Sequence, residues 1–350
     1  MSLLAVVSAS IAPAAVVAQE DTRFASCAPI AADGLRLACY DRLMALPATR
    51  AEAARRDAGE AKMEKAEAAA PIAAAPVTVI AAGHDQPKTV SSTLSALWET
   101  GQGDKRGTFA LRPYRENYLL LANYSPSPNE VPFQTNAGAT DLQHTELAFQ
   151  ISFKVKALED LPYTHSDLWF GYTQQNFWQA YNKAQSRPFR ETNFQPEAML
   201  VTPLGYNLGG GVRAEFLNLG VLHQSNGRGI AGSRSWNRLY AQVGLEKGDA
   251  SVLVRMWKRL AESGTDDNPD ITSFMGHGDV TANYRWRGHT FSALARRNFS
   301  TNKGAAQLSW AFPLKDNLKG YVQAFSGYGQ SLIDYNSNQK SIGAGFLVDF

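Results

Sequence analysis

The chain has 350 residues, with 34 basic and 32 acidic side chains for a net charge of +2. So balanced a charge excludes the concentrated basic excess of a nucleic-acid partner. A mean hydropathy of −0.28, with no apolar run of about 18 residues after the N-terminus, excludes a bundle of membrane helices. Aromatic residues are plentiful at 11%, while charged residues at 19% fall below the usual share of about a quarter. A soluble β-rich protein and a membrane barrel that hides its apolar face in alternation both remain.

Leu3 to Ala18 form an apolar, small-residue stretch, and Val16-Val17-Ala18 has the form of a signal-peptidase site before Gln19. The stretch is short and contains Pro13, so export fits better than anchoring, although no Lys or Arg precedes it. Residues 1–18 are therefore expected to be a signal peptide. Cys27 and Cys39 follow; an oxidising compartment favours one disulfide over free thiols or a metal site, and the pair reads as structural. Residues 19–95 read as a periplasmic extension. Ala, Glu, Lys and Arg dominate to Ala70 as a marginal helix, then Pro71, Pro76 and Pro87 punctuate an Ala/Val-rich linker. A spacer explains this composition, and nothing selects a partner-binding arm instead.

From about Arg106 the dominant period is two. Leu147, Phe149, Ile151, Phe153 and Val155 share one face, and Gln150, Ser152, Lys154 and Lys156 the other. Val280, Ala282, Tyr284 and Trp286 alternate likewise, as do Ala306, Leu308, Trp310 and Phe312, and finally Ile342, Ala344, Phe346, Val348 and Phe350. Alternation alone fits a soluble sandwich equally well. Three features favour a barrel: Tyr and Trp at strand ends, long charged and amide side chains on the polar face, and an aromatic C-terminal residue. Candidate strands at 107–123, 145–157, 166–178, 194–205, 211–224, 236–247, 250–260, 278–287, 289–298, 304–313, 318–327 and 340–350 number twelve. The expectation is an all-β, antiparallel transmembrane barrel over residues 96–350, closed because lipid leaves no backbone group unpaired. Its inward Lys, Arg, Gln, Asn and Tyr residues would fill a narrow lumen.

One hairpin carries chemistry. Leu217, Leu219 and Val221 form an apolar set that continues through His223 and Ser225, while Asn237, Leu239 and Ala241 share a face on the next strand. His223, Ser225 and Asn237 thus meet at one hairpin end on the face that elsewhere meets lipid, where polar groups are costly unless paired or functional. The chemistry available is a Ser225 nucleophile, a His223 general base and an Asn237 that fixes the imidazole tautomer. A neutral orienter suits a lipid boundary, where an unpaired carboxylate is costly to desolvate. A His-x-Ser pair by itself is also what ordinary surface residues look like.

The segments His223-Gln224-Ser225-Asn226-Gly227-Arg228 and Ser233-Arg234-Ser235-Trp236-Asn237-Arg238 resemble the signature of the bacterial outer membrane phospholipase A family, with His, Ser and Asn at the same spacing. Lys105 to Phe109, Arg112 to Tyr118, Trp169 to Gln175 and Pro188 to Asn193 are similar to other family segments, so the resemblance covers about residues 98–350. It implies Ser225 as nucleophile, His223 as base and Asn237 as orienter. It also implies an oxyanion site at the Ser225 and Gly227 amides, and a calcium ion (Ca2+) next to it. The Arg228 carbonyl and the Ser233 hydroxyl would be ligands, and Ser186 matches the serine that a second subunit contributes. Gly229 to Gly232 holds no carboxylate, whereas family members carry an aspartate near Ile230; such a site should lean on dimerisation at least as strongly as in its relatives. Gln175 is a dimer contact by resemblance and an inward network residue by its own chemistry.

The remaining candidates are weaker. His84, His144, His165, His277 and His289 lack ligand spacing and read as loop or interior residues. Asp266, Asp267 and Asp270 fit a solvated external loop better than a calcium loop. Gly209-Gly210-Gly211 precedes a strand and reads as a turn, not a phosphate cradle. The expected function is hydrolysis of acyl esters in phospholipids and lysophospholipids (phospholipase A1, A2 and lysophospholipase activity) by an outer-membrane homodimer. The rival is a non-catalytic porin or structural barrel.

Overall fold

The structure, a computed structural model, describes residues 92–350 except 136–137, 140, 230–231, 263–265 and 349–350. The signal stretch, Cys27 and Cys39, the linker, His84, Ile230 and the terminal Phe350 lie outside the described residues. Twelve antiparallel strands form the wall. They are β1 Asn117–Tyr124, β2 Thr145–Leu158, β3 Asp167–Trp178, β4 Phe189–Gly209, β5 Val212–Ser225, β6 Ser235–Lys247, β7 Ala250–Leu260, β8 Gly278–Trp286, β9 His289–Asn298, β10 Lys303–Lys315, β11 Leu318–Tyr328 and β12 Asn338–Val348. Each pairs with its neighbours in sequence, and β12 returns to β1 through Val348 with Asn117 and Ile342 with Tyr124. The sheet therefore closes, and the expected barrel is what the chain builds.

All twelve candidate strands are present, with two differences. The first, expected over 107–123, breaks into Leu111–Pro113 and β1, both paired to β2. Pro113 has no N–H for the ladder. Opposite the gap the Asn117 side chain takes over, accepting from Ser152 N at 2.7 Å and donating to Ser152 O at 3.0 Å. The fourth, expected over 194–205, extends over 189–209, because both its ends carry polar residues that the lumen and rim accept. Gly209, Gly210 and Gly211 do form a turn, all at positive φ.

Alternation sorts the side chains as the pattern requires. Leu119, Phe170, Leu239, Met256, Leu308 and Ile342 cover the outside, while Lys154, Asn193, Glu197, Asn218, Arg238 and Gln242 are buried inside. The lumen is a bonded network. Arg190 bridges Glu146 and Asp334, Arg255 pairs with Asp279, and Glu197 accepts from Arg115 and from Tyr240 OH. Gly220 faces inward beneath the Tyr240 ring, where a Cβ would stand 2.4 Å from a ring carbon. His289 corrects its expected placing: it stacks with Phe291 and Trp310 and accepts from Trp310 Nε1 at 3.1 Å, a member of the outer aromatic belt. Two-residue turns at 210–211, 248–249, 287–288 and 316–317 mark the periplasmic end, which also carries the longer 159–166 connection, and the β5–β6 hairpin loop lies at the opposite end.

A short helix, α1 Thr93–Trp98, enters the lumen at the periplasmic end. Glu246 of β6 accepts from Thr93 N at 2.8 Å and Leu94 N at 2.7 Å, and Trp98 packs on Tyr114, Trp169 and Phe216. Just after it, Glu99 is fully buried and bound by Arg112, Arg106 and Lys156. Burial pushes its carboxyl up, but the Arg112 and Lys156 hydrogen bonds outweigh this and hold it down at about 2, from an ordinary 4.5. A depressed acid stabilises the fold above its unfolded pKa and loses that contribution as pH falls through the folded one. The stability gap between wild type and Glu99→Gln is therefore expected to be full at pH 7 and to close between about pH 4.5 and 2, read from urea unfolding followed by tryptophan fluorescence. A gap that does not change with pH would contradict this.

Candidate functional site

The β5–β6 hairpin aligns His223 with Asn237 and Ser225 with Ser235 as cross-strand partners. Asn226 N donates to Arg234 O at 3.0 Å. Counting back from that bonded pair makes His223 and Asn237 a non-hydrogen-bonded pair, the kind whose side chains come closest. Both point outward, and His223 Nδ1 lies 2.9 Å from Asn237 Oδ1. A ring held at Nδ1 by an amide oxygen carries its proton there and presents a bare Nε2. Ser225, half-buried, has no hydrogen-bond partner among the described residues, so the site is closed on its His–Asn side and open on its Ser–His side. Behind the wall Gln224 accepts from Trp236 Nε1 at 2.9 Å and Arg238 Nη2 at 2.8 Å, fixing the backbone between the two outward residues.

Past Ser225 the chain turns through Asn226. Its Oδ1 accepts from Arg234 N at 2.9 Å and its Nδ2 donates to Gly232 O at 2.9 Å, so one side chain ties both arms of the loop. Gly227 has φ 64 and a Cβ there would stand 3.1 Å from the Phe194 ring, so both backbone and space ask for glycine. Arg228 Nε donates to Glu191 Oε2 at 2.9 Å, and Glu191 Oε1 in turn accepts from Asn193 and from Ile333 N. The loop thus hangs from the buried lumen network.

Ser233 Oγ donates to Asp267 Oδ2 at 2.5 Å. This corrects the reading of Asp267 as part of a merely solvated loop: a carboxylate from the β7–β8 connection reaches the serine, and the loop that lacks its own acid is supplied with one across space. The Ser233 hydroxyl and the Asp267 carboxylate meet, and with the Arg228 carbonyl they would make an all-oxygen set, which is what a hard divalent cation selects. No cluster of three or more His, Cys, Asp or Glu side chains suited to a metal occurs among the described residues, so any such site leans on backbone and hydroxyl oxygens. Ser186 is exposed in the β3–β4 loop at the same end of the barrel, at φ 55.

Gln175 is placed otherwise than as a dimer contact. It faces the lumen and donates to Tyr118 OH at 3.2 Å. Its neighbour Gln174 faces outward, accepting from Tyr172 OH at 2.8 Å and donating to Asn176 Oδ1 at 2.9 Å, which also accepts from Thr192 Oγ1 at 3.1 Å. A polar ladder on the lipid-facing wall is the result. Between it and the hairpin runs a groove of about 420 Å³ past His223 and Asn237, lined by Phe170, Ala198, Val221 and Leu260. Asn226, Glu191 and Asp267 were not singled out from sequence for these roles; only the position of Asn226 directly after Ser225 hinted at one.

A family model described as phospholipase A1 matches residues 94–348. A relative from Neisseria meningitidis serogroup B is 38% identical over 344 residues, covering 92% of this chain and 90% of that protein. Phospholipase A1 of Escherichia coli K12 is 34% identical over 266 residues, covering 76% and 89%. Among solved structures, the outer membrane phospholipase A of Escherichia coli matches with a TM-score of 0.66 at 33% identity, over 73% of this chain and 98% of that one. A Salmonella typhi outer membrane phospholipase dimer with bound calcium matches with 0.66 at 35%, over 70% and 94%.

The loop's dependence on one side chain is open to test. Asn226→Ala is expected to speed amide exchange at Arg228 and Arg234, whose N–H groups donate to Asn226 Oδ1, about tenfold or more while costing about 1–2 kcal/mol of overall stability. Unchanged exchange at both amides would show that the loop holds its shape without Asn226.

Proposed function

The chain belongs to the phospholipase A1 family as an outer-membrane β-barrel phospholipase, and from that premise we propose a Ser225–His223–Asn237 hydrolase acting on phospholipid and lysophospholipid acyl esters at either glycerol position. The observation that carries this reading is the outward His223–Asn237 contact at 2.9 Å, on the lipid side of the wall and two residues from Ser225. His223 Nε2 takes the Ser225 proton as Oγ attacks the ester carbon. Asn237 holds the ring and accepts from Nδ1–H as the imidazolium forms. The Ser225 and Gly227 amides receive the oxyanion. His223 then protonates the leaving glycerol oxygen, and water repeats the sequence to free the fatty acid. The acyl chain stays in an apolar setting throughout, lying along Phe170, Ala198, Val221 and Leu260.

Calcium would be held by the Arg228 carbonyl and the Ser233 hydroxyl, with Asp267 supplying the carboxylate and Ser186 reaching in from a second copy. When bound it supplies positive charge beside the oxyanion site. The chain's own part is to bring those oxygens together, and the Ser233–Asp267 contact supports this for two of them. The same contact lessens the reliance on dimerisation expected of a loop without a carboxylate. Homodimerisation is supported by the Gln174 ladder, since polar groups facing lipid gain by meeting each other across an interface. The crowded lumen counts against the pore reading.

Fatty-acid release from mixed-micelle phospholipid should fall by about a thousandfold or more in Ser225→Ala, and should vanish in EDTA and return with calcium. Release that ignored EDTA would remove the metal from the account, and release that survived Ser225→Ala would remove the triad. For the dimer, Gln174→Ala is expected to lower the cross-linked dimer fraction in calcium-loaded micelles and Gln175→Ala to leave it unchanged; the reverse result would put the interface elsewhere.

A further inference from the structure

The outward stripe of β7, Met256, Lys258 and Leu260, climbs toward the site, and Leu260 is the cross-strand partner of Asn237. Two residues further stands Glu262. Alternation carried past the strand end places it on the same side as Leu260, level with Ser235, the partner of Ser225. Its side chain is 13% exposed, and its Oε1 is buried without a hydrogen bond among the described residues. Arg259 is its ion-pair partner, but only a long one. That guanidinium stays 3.9 Å from Oε1, beyond hydrogen-bonding distance, and commits its donors to Asp266 at 2.7 Å and to the carbonyls of Asn268 and Pro269 at 3.1 Å. Burial holds the Glu262 carboxyl above its usual range. Arg259 opposes this, Asp266 and Asp267 add to it, and the His223 ring is near enough to pull in the opposite sense. An under-bonded carboxylate therefore stands, by register, just past the strand next to that of Asn237, within electrostatic range of the imidazole.

We infer that Glu262 is a positioning residue that acts through His223, supplying across space the negative charge that the neutral Asn237 does not. The inference rests on the triad reading above. As the Ser225 Oγ–carbon bond forms, the Oγ proton passes to His223 Nε2 and the ring becomes a cation; later that proton goes to the glycerol oxygen as the ester bond breaks. Glu262 stays ionised and neither gives nor takes a proton. It favours the imidazolium, whereas Asn237 aims it. The division is physically sensible at a lipid boundary: the charge sits in the rim loop, and the residue in direct contact with the ring is uncharged.

The test is steady-state hydrolysis of mixed-micelle phospholipid by the full-length protein carrying Glu262→Gln or Glu262→Asp, with Ser225→Ala alongside. The Gln variant is expected to lose about tenfold in kcat at unchanged KM, unchanged calcium half-saturation and unchanged thermal midpoint, with Asp restoring most of the rate. Should the Gln variant misfold, Glu262→Ser takes its place with the same expectation. A folded, charge-free variant with full kcat would overturn the inference. So would a loss fully restored by raised calcium, which would make Glu262 part of the metal site. Residual hydrolysis in Ser225→Ala would instead overturn the triad reading, which keeps the two failures apart.

Discussion

A sheet with no free edge makes each residue take a side, and in this chain nearly every other feature follows from that division. Lipid offers no partner to a bare N–H or C=O, so the ladder from β1 round to β12 has to be complete. Once it is, the inward residues meet each other at short range and must satisfy one another. Arg190 between Glu146 and Asp334, and Arg115 and Tyr240 on Glu197, do this with charge and geometry together. Buried ion pairs of this sort add little net stability, because desolvation offsets much of the attraction. What they give is a rigid wall, and rigidity is what the centre proposed on its outer surface needs.

The site lies where two environments meet. Below it the wall is apolar and faces acyl chains; above it the rim loops are polar. His223 and Asn237 satisfy each other at that border, so two polar side chains share one desolvation cost that either alone would bear in full. The loop above is not an independent feature. Asn226 ties its arms, Arg228 anchors it to Glu191, and Glu191 also receives Ile333 N from the β11–β12 connection. Asp267 adds a tie from the β7–β8 connection. Three rim segments thus converge on the residues around Ser225, and a lid-like movement of this loop would have to break contacts that reach into the lumen.

Much of this was legible in the chain because the period of a strand is two and the hairpin is short. Alternation from Leu217 to Ser225, carried across one turn to Asn237, was enough to bring three polar residues together on the outer face. Where alternation became ambiguous, reading failed. In Trp169 to Trp178 aromatic residues occupy both parities, and the register slips at Phe177 and Trp178; the choice between adjacent glutamines, Gln174 outward and Gln175 inward, could not be made from pattern. The break at 114–116 was hidden too, since it depends on the Asn117 side chain standing in for backbone opposite Ser152. Contacts between distant loops carry no period. The meeting of Ser233 with Asp267, and of Arg228 with Glu191, depends on how neighbouring strands end, and composition hinted only that acids were present nearby.

The central claim is that Ser225 is a nucleophile facing lipid on the outer wall. It is tested most directly by treating the vesicle-embedded protein with a long-chain sulfonyl fluoride, which reacts covalently with an activated serine, and mapping the adduct by mass spectrometry. The account predicts one adduct, on Ser225, formed readily in the wild type and far more slowly in Asn237→Ala, where the ring is no longer held. An adduct at another residue, or none in a protein that hydrolyses phospholipid under the same conditions, would contradict it.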